Sequence, residues 1–394
     1  MKLDGIEVHG IPDSREKETI EVTLKSASRS ALARIPSGKS RGKREAAVIT
    51  PKEAEEVLKG GLLKALTSRE FSSIRELDEF LLKFDGTEDK SKIGGNLSLG
   101  ISLAFARIFG MEQGKELWEV LRAEFFPGVE SEKTPAIFSN LINGGVHADN
   151  NLDIQEYIVL TKRGEAAGNA VKTVKEFYAK LGERLKEKYK LDELKLGDEK
   201  GYTMNFSNNE EPIELLAKLI EELALSDALS IGIDAAASNF RHGEGYKFGG
   251  EMLKREALLE VYKGYLSRLT SIEDPFGEED LEGFEKLSNA AGPEKLIIGD
   301  DLTVTNAKLI DKYGGRLING VIIKANQIGT VTETCEALQA AKDKGVYRIV
   351  SHRSGEVDDA FLIHFAKASG AEGVKIGAPK EERLVKFKEL SRIY

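Results

Sequence analysis

Polar and apolar positions alternate along the N-terminal stretch, most plainly in Thr19-Ile20-Glu21-Val22-Thr23-Leu24, where Ile20, Val22 and Leu24 fall on one face. A period of two predicts strands, so the segment from Lys2 to about Ser37 reads as a small antiparallel sheet. The period then lengthens. Thr50-Pro51-Lys52-Glu53 offers an N-cap, a proline at the first helical position and the reciprocal glutamate of a capping box, and Ser73 with Glu76 repeats the box. Two helices are expected from those starts. A third apolar segment runs from about Leu97 to Phe109, and a shorter helix holds Trp118, a core residue because nothing polar is patterned around it.

The pattern changes after Phe126-Pro127-Gly128 and a short polar linker containing Glu130 and Glu132. From Thr134-Pro135-Ala136-Ile137-Phe138 onward, short apolar runs alternate with helical segments. Six runs in the second half end in a polar residue of catalytic type: SIGID at Asp234, TSIEDP with Glu273, LIIGDD with Asp300, GVIIKANQ with Lys324, RIVSHRS with His352 and Arg353, and GVKIG with Lys375. These marks lie roughly 23 to 39 residues apart, room for a strand, a helix and two loops, which is the rhythm of a (β/α)8 barrel. The fold class expected is an α/β barrel preceded by an N-terminal α+β domain, with the domains at 1–127 and 134–394. Between Gly182 and Lys200 the chain reads as a charged, solvated helix and loop. Its end is the exception, because Gly197-Asp198-Glu199-Lys200-Gly201 permits a tight loop that carries Glu199 into a site.

Composition narrows the function classes. The chain has 394 residues, 31% of them charged, and a formal net charge of −9, which argues against a nucleic-acid partner. The lone Cys335 excludes an internal disulfide and a cysteine-based zinc cluster. The N-terminus MKLDGIEVHG has no apolar core and no run approaches 18 apolar residues, so a cytoplasmic protein with neither signal peptide nor membrane partner is expected. Abundant Lys and Glu with few Met and Cys is the usage of a thermophile.

The strand-end residues carry the candidate chemistry. Asp234, Glu273 and Asp300 would repel one another in a partly buried mouth, and a hard divalent cation removes that penalty. Mg²⁺ suits the all-oxygen set better than Zn²⁺. Each carboxylate alone would read as a helix cap; the three together, with Lys324 and Lys375 on later strands, would not. A lysine in such a mouth is expected to have a lowered pKa and accept a proton, or else to neutralise the carboxylates. Arg353 and Ser354, in SHRSG, suit a phosphate group. The loop Pro36-Ser37-Gly38-Lys39-Ser40-Arg41-Gly42 reads as a phosphate cradle or a mobile lid and lacks the spacing of an NTPase loop.

Longer motifs then match a family. Asp85-Gly86-Thr87 with Lys90-Ser91 and Leu99-Gly100, Asn143-Gly144-Gly145, His147-Ala148, Gln155-Glu156, SIEDPF from Ser271, GDDLTVTN from Gly299, the segment Ile323 to Glu333, and SHRSGE from Ser351 follow in order over nearly the whole chain. By them the sequence resembles the enolase family. The resemblance implies an enolase-type barrel and a Mg²⁺-dependent, glycolytic interconversion of 2-phosphoglycerate and phosphoenolpyruvate. It implies two Mg²⁺ per site, the first on Asp234, Glu273 and Asp300 and the second assisted by Ser40. Lys324 would be the base, Glu199 supported by Glu156 the acid, and Lys375 a stabiliser of the substrate carboxylate. Arg353 and Ser354 would grip phosphate, with Ser40 and Gln155 also at the substrate, and His147 and His352 would line the pocket. It further implies a small-molecule partner only, and a homodimer or higher homo-oligomer.

The match departs in three places. The family's GNP after Asp13-Ser14-Arg15 is Glu16-Lys17-Glu18, a change expected to concern packing or subunit contact. The lid reads KSRG where the family has ASTG. Lys200 stands where the family has glycine, and it is expected to point to solvent, because an ammonium turned toward Glu199 would weaken an acid. Two other readings stay open: an enolase-superfamily paralogue whose altered lid takes another phosphorylated hydroxy acid or works weakly on the usual one, and a non-catalytic protein on a retained scaffold.

Overall fold

A computed structural model of the chain describes residues 1–39, 42, 44–130 and 133–394. Three antiparallel strands, Gly5–Pro12, Glu18–Ser26 and Arg29–Arg34, open the fold as the alternation requires. Ile20, Val22 and Leu24 are fully buried on one face. The long helix Gly95–Glu112 packs there, and it approaches so closely that a Cβ at Gly100 would stand 2.3 Å from Val22.

Thr50 and Glu53 form the expected capping box at the helix Pro51–Val57, which continues through a wider turn over Leu58–Leu62 into Leu63–Thr67. The second box forms by half. Ser73 caps Ile74–Asp85 by accepting from the Glu76 amide, whereas the Glu76 carboxylate reaches past it to the amide and hydroxyl of Ser72. Trp118, on Leu117–Phe125, is half-buried against the core with Arg122 and Lys367 stacked on its ring at 5.0 and 5.5 Å, so polar groups do surround it.

Eight strands then close a barrel: Ala136–Asn143, Glu156–Thr161, Leu229–Asp234, Ser271–Glu273, Leu296–Gly299, Gly320–Ile323, Tyr347–Ser351 and Gly373–Ile376, the last pairing with the first. The six marked runs are all strands. The second strand breaks the simple (β/α)8 rhythm by running antiparallel to both neighbours. The reason lies in the connection before it, which holds only the turn Gly145–His147, too short for the helical crossover a parallel pair needs.

Strand geometry builds the mouth. Ala136, Phe138, Ile158, Leu160, Ile298, Ile322 and Ile349 form an apolar cluster within the barrel. Side chains two residues apart share a face. One step of two along each strand from that layer, or from the small residues Gly232, Ser271 and Gly373, leads to Asn140, Glu156, Asp234, Glu273, Asp300, Lys324, Ser351 and Lys375. Each strand thus adds one polar group to a layer above an apolar floor. A separate core joins the N-terminal sheet and helices to the barrel's helices, running from Leu3 and Val22 through Leu103 to Leu338, Phe365 and Phe387.

Candidate active site

Lys375 sits at the centre of the polar layer. Its ammonium lies 2.7 Å from Glu273, 3.0 Å from Glu156 and 3.1 Å from Asp234, all four side chains being buried. Burial opposes the charge on Lys375, but Asp234, Glu156, Glu273 and Glu199 outweigh it and hold its pKa well above the ordinary lysine value. Burial, and then the neighbouring charge of Asp234, push the Glu273 carboxyl well up.

Lys324 corrects an expectation. Burial does work against its ammonium, yet the ion pair with Asp300 prevails and its pKa is raised, not lowered. Among the two alternatives read from the sequence, Lys324 in this state is the neutraliser. Asp300 is in turn held below the usual carboxylate range, because the lysine overcomes the upward push of burial. Gln327 adds a hydrogen bond to it at 3.0 Å.

The opposite side of the cleft holds Glu199, on the turn between the paired residues Lys195–Leu196 and Tyr202–Thr203. Asn140 donates to its carboxylate at 2.8 Å, and His147 and His352 lie 3.5 and 3.6 Å away. Burial lowers the pKa of both imidazoles, so at neutral pH they are uncharged. Burial would raise Glu199, but the imidazoles, Lys375 and Arg383 together bring it below its ordinary value. With the imidazoles neutral, the full positive charges facing Glu199 are Lys375 and Arg383. Glu156 is pushed the other way, first by burial and then by Glu199. Two adjacent carboxyls whose pKa values are forced apart in this way suit an acid–base pair.

Lys200 turns away from Glu199, as expected, though to Glu381 at 2.8 Å rather than to open solvent. Its backbone has φ of 65°, and Glu16 has φ of 61°. Both positions are glycine in the family pattern, so this chain keeps the left-handed turns without the residue that adopts them freely. The Asp13-Ser14-Arg15 segment packs within the chain: Arg15 donates to the Ser354 and Ser37 hydroxyls at 3.3 and 2.8 Å, and the Ser14 hydroxyl donates to the Ser354 carbonyl at 3.2 Å.

Arg353 pairs with Glu45 at 3.0 Å, both being buried, and the Ser354 hydroxyl accepts from the Lys39 amide at 2.9 Å. Lys39 also pairs with Asp198 at 2.8 Å. Gln155 lines the same cleft and accepts from Asn239 at 3.2 Å. Ser40 and Arg41, like Glu132 of the linker, lie outside the described residues. The structure therefore gathers Lys324, Lys375, Asp234, Glu273, Asp300, Glu156, Glu199, His147, His352, Arg353, Ser354 and Gln155 around one mouth. Internal ion pairs fill it so that a cavity of only about 30 Å³ remains.

Sequence reasoning missed Glu45, Asp274, Asp301, Asn140 and Arg383. Asp274 accepts from the Asp300 and Asp301 amides at 3.0 and 2.8 Å and so shapes the turn that presents Asp300. Asp301 is raised to about 7 by burial and by Asp300. A doubled acid in GDD and a polar residue inside the buried run AIFSNLIN were the available signals for Asp301 and Asn140.

The donor chemistry fits a hard divalent cation. Asp234, Glu273 and Asp300 offer oxygens only, Glu273 Oε1 is buried without a hydrogen-bond partner, and Asp274, Asp300 and Asp301 bring carboxylate oxygens within 4.8 Å of one another. No helix among the described residues is long and apolar enough to cross a membrane.

Comparison with known proteins adds an independent line. Residues 3–121 match the family model described as the enolase N-terminal domain, and residues 132–394 match that of the enolase C-terminal TIM barrel domain. A protein named enolase from Aeropyrum pernix is 35% identical over 97% of this chain and 91% of its own length. Enolases from Anaplasma marginale, 35% identical over 100% and 94%, and Ehrlichia chaffeensis, 36% identical over 99% and 95%, are similar to the same extent.

Proposed function

The chain belongs to the enolase family, a family of hydro-lyases, and from that premise we propose that it catalyses the Mg²⁺-dependent interconversion of 2-phospho-D-glycerate and phosphoenolpyruvate. The observation that carries this reading is the mouth itself: Lys375 among three carboxylates, the Lys324–Asp300 pair beside it, and the Glu199–Glu156 pair across the cleft.

Once freed from Asp300, Lys324 gives its own proton to solvent and then, as the neutral amine, takes the proton from C2. Glu199 receives its proton from the Glu156 side and delivers it to the hydroxyl leaving C3, with the neutral His147 and His352 beside it. Lys375 faces the substrate carboxylate, which gains charge as the C2 proton departs. Arg353 exchanges Glu45 for the phosphate, helped by the Ser354 hydroxyl. Asp234, Glu273 and Asp300 would hold one Mg²⁺, and Ser40 would help hold a second. Bound there, the ions would supply the positive charge that competes with Lys324 for Asp300 and stabilises the dianionic intermediate, as in enolase-superfamily sites generally. Electrostatic contacts of this kind are worth ~10²–10³ in rate each.

The division into 1–127, with a lid at 36–42, and 134–394 belongs to the same reading, as do a cytoplasmic location and a homodimer or larger assembly. The test is phosphoenolpyruvate formation followed by ultraviolet absorbance, with and without Mg²⁺, using Lys324→Ala as control. Brisk Mg²⁺-dependent turnover that the variant abolishes is expected; silence from folded protein overturns it. A second reading is favoured by the Lys39–Asp198 pair, which ties the departing lid to the acid turn: a paralogue taking another phosphorylated hydroxy acid. Faster turnover of such an analogue than of 2-phosphoglycerate would select it.

A further inference from the structure

Arg383 is a fully buried cation that the reaction scheme above does not use. From the short turn Glu381–Arg383, its guanidinium reaches beneath the mouth. One nitrogen, Nη2, donates to the Ser354 carbonyl at 3.1 Å and to the Asp198 carbonyl at 3.3 Å. Nη1 pairs with Glu382, and Nε is buried without a hydrogen-bond partner. Gly377, two residues past Lys375, makes room for it. A Cβ at that position would stand 2.4 Å from Arg383 Nε and 2.6 Å from the Glu199 carbonyl. The next amide, of Ala378, donates to that same Glu199 carbonyl at 3.0 Å.

A guanidinium taken out of water is costly unless its donors are used, so its placement calls for a reason. Here Nη2 spends its donors on backbone carbonyls of two loops far apart in sequence, one bearing Glu199 and the other bearing Arg353 and Ser354. A planar fork suits that task, since it fixes direction as well as charge. We propose that Arg383 is a positioning residue for the dehydration, clamping the Asp198-Glu199 turn to the Ser354 turn so that acid and phosphate grip keep one spacing across the cleft. The inference rests on the roles given above to Glu199, Arg353 and Ser354. Its positive charge also faces Glu199 and helps to keep it ionised.

The test compares wild type with Arg383→Gln, Arg383→Lys and Gly377→Ala through kcat, KM, the pH–rate profile and melting temperature. Misplacement by an ångström from outside the reacting groups costs about 10²-fold, and a loss of that order in kcat/KM is expected for Arg383→Gln, with KM raised. Removing a cation raises a nearby carboxyl's pKa, so the limb governed by the Glu199–Glu156 pair should move about 1 pH unit upward in Arg383→Gln. Arg383→Lys, which keeps charge but not the fork, should hold that limb in place while recovering only part of kcat. Gly377→Ala, which displaces a retained arginine, should lower kcat with the limb little moved.

Folded Arg383→Gln with kcat and KM within twofold of wild type would overturn the inference. So would losses that track melting temperature alone with the pH profile unmoved, since that is the behaviour of a purely structural residue. Absence of dehydration by wild type would instead remove the functional reading on which the inference stands.

Discussion

Lys200 and Glu16 show how single residues can depart from a pattern without moving the backbone that the pattern serves. Both adopt left-handed φ, a conformation costing an L-residue roughly 1–2 kcal/mol, partly offset because glycine loses more freedom on folding. Glu16→Gly, at an exposed position, is expected to stabilise the protein by about 0.5–1 kcal/mol, read from urea unfolding. Lys200→Gly also loses the Glu381 ion pair, so its gain should be smaller, and its pH–rate profile should match wild type because the ammonium faces away from Glu199. A displaced limb in that variant would show that Lys200 acts on the acid after all. Residues of the mouth were legible to the extent that one strand's own text revealed them. Asp234, Glu273, Asp300, Lys324 and Lys375 each follow an apolar run at the period-two position that faces the lumen. Glu45 and Arg383 reach the site from segments with no local signature, and only the closed fold brings them there. The pKa of Lys324 departs from the sequence expectation for a related reason, since the apolar run before it announces burial whereas the partner at Asp300 depends on cross-strand geometry.

Between elements, the most consequential buried group away from the mouth is Asp78. It lies on the helix Ile74–Asp85, with no exposure, where that helix meets Gly95–Glu112 and Val331–Asp343. It accepts from the Thr332 amide at 2.8 Å and from Ser102, while Oδ1 has no hydrogen-bond partner. Burial lifts its pKa from 3.8 to about 7, against the pull of those bonds. The sign of the linkage follows: an acid with a raised folded pKa favours the protonated native state, so its contribution is complete below the unfolded pKa and is lost as pH rises toward 7. A shift of that size corresponds to a few kcal/mol at most. Asp78→Asn is therefore expected to be more stable than wild type at pH 8, with the advantage shrinking as pH falls to 4, measured by urea unfolding at both values. An advantage independent of pH would place the titration elsewhere. Element type was well marked in the sequence because caps and periodicity are local, as at Thr50 and Glu53. Strand direction was not, because Glu156–Thr161 has the same composition whichever way it runs; only the short connection before it made the antiparallel choice, and that choice brings Glu156 at the strand's first residue to the same rim as Asp234 at another strand's last.

Across the whole molecule, the N-terminal part and the barrel share both a core and a site. One apolar cluster joins Val22 and Leu103 to Leu338 and Phe365, and Arg15, Ser37, Lys39 and Glu45 all contact groups on the barrel's mouth. Two parts bonded this extensively should not melt separately. Trp118 offers a direct probe, being the chain's single tryptophan and standing where Leu117–Phe125 meets Phe361–Ser369, with Lys367 on its ring and Arg122 bonded to the Ala368 carbonyl at 3.3 Å. Its fluorescence reports the junction, whereas far-ultraviolet circular dichroism reports helices and strands throughout. If junction and barrel lose structure together, the two signals should follow one curve, which is the test of a two-state transition. We expect coincident midpoints within about 1 °C. The abundant surface ion pairs, such as the cluster of Arg255 with Asp280 and Glu282 and of Lys286 with Glu282 and Glu256, bear on where that midpoint lies. Networks gain on isolated pairs as temperature rises, because the hydration lost on forming them becomes less favourable. The shared transition should accordingly fall above the ~45–65 °C range of mesophilic domains. A tryptophan signal that changes well before the dichroism would mean that the N-terminal part detaches first, and the residues it lends to the mouth would then leave the site before the barrel itself unfolds.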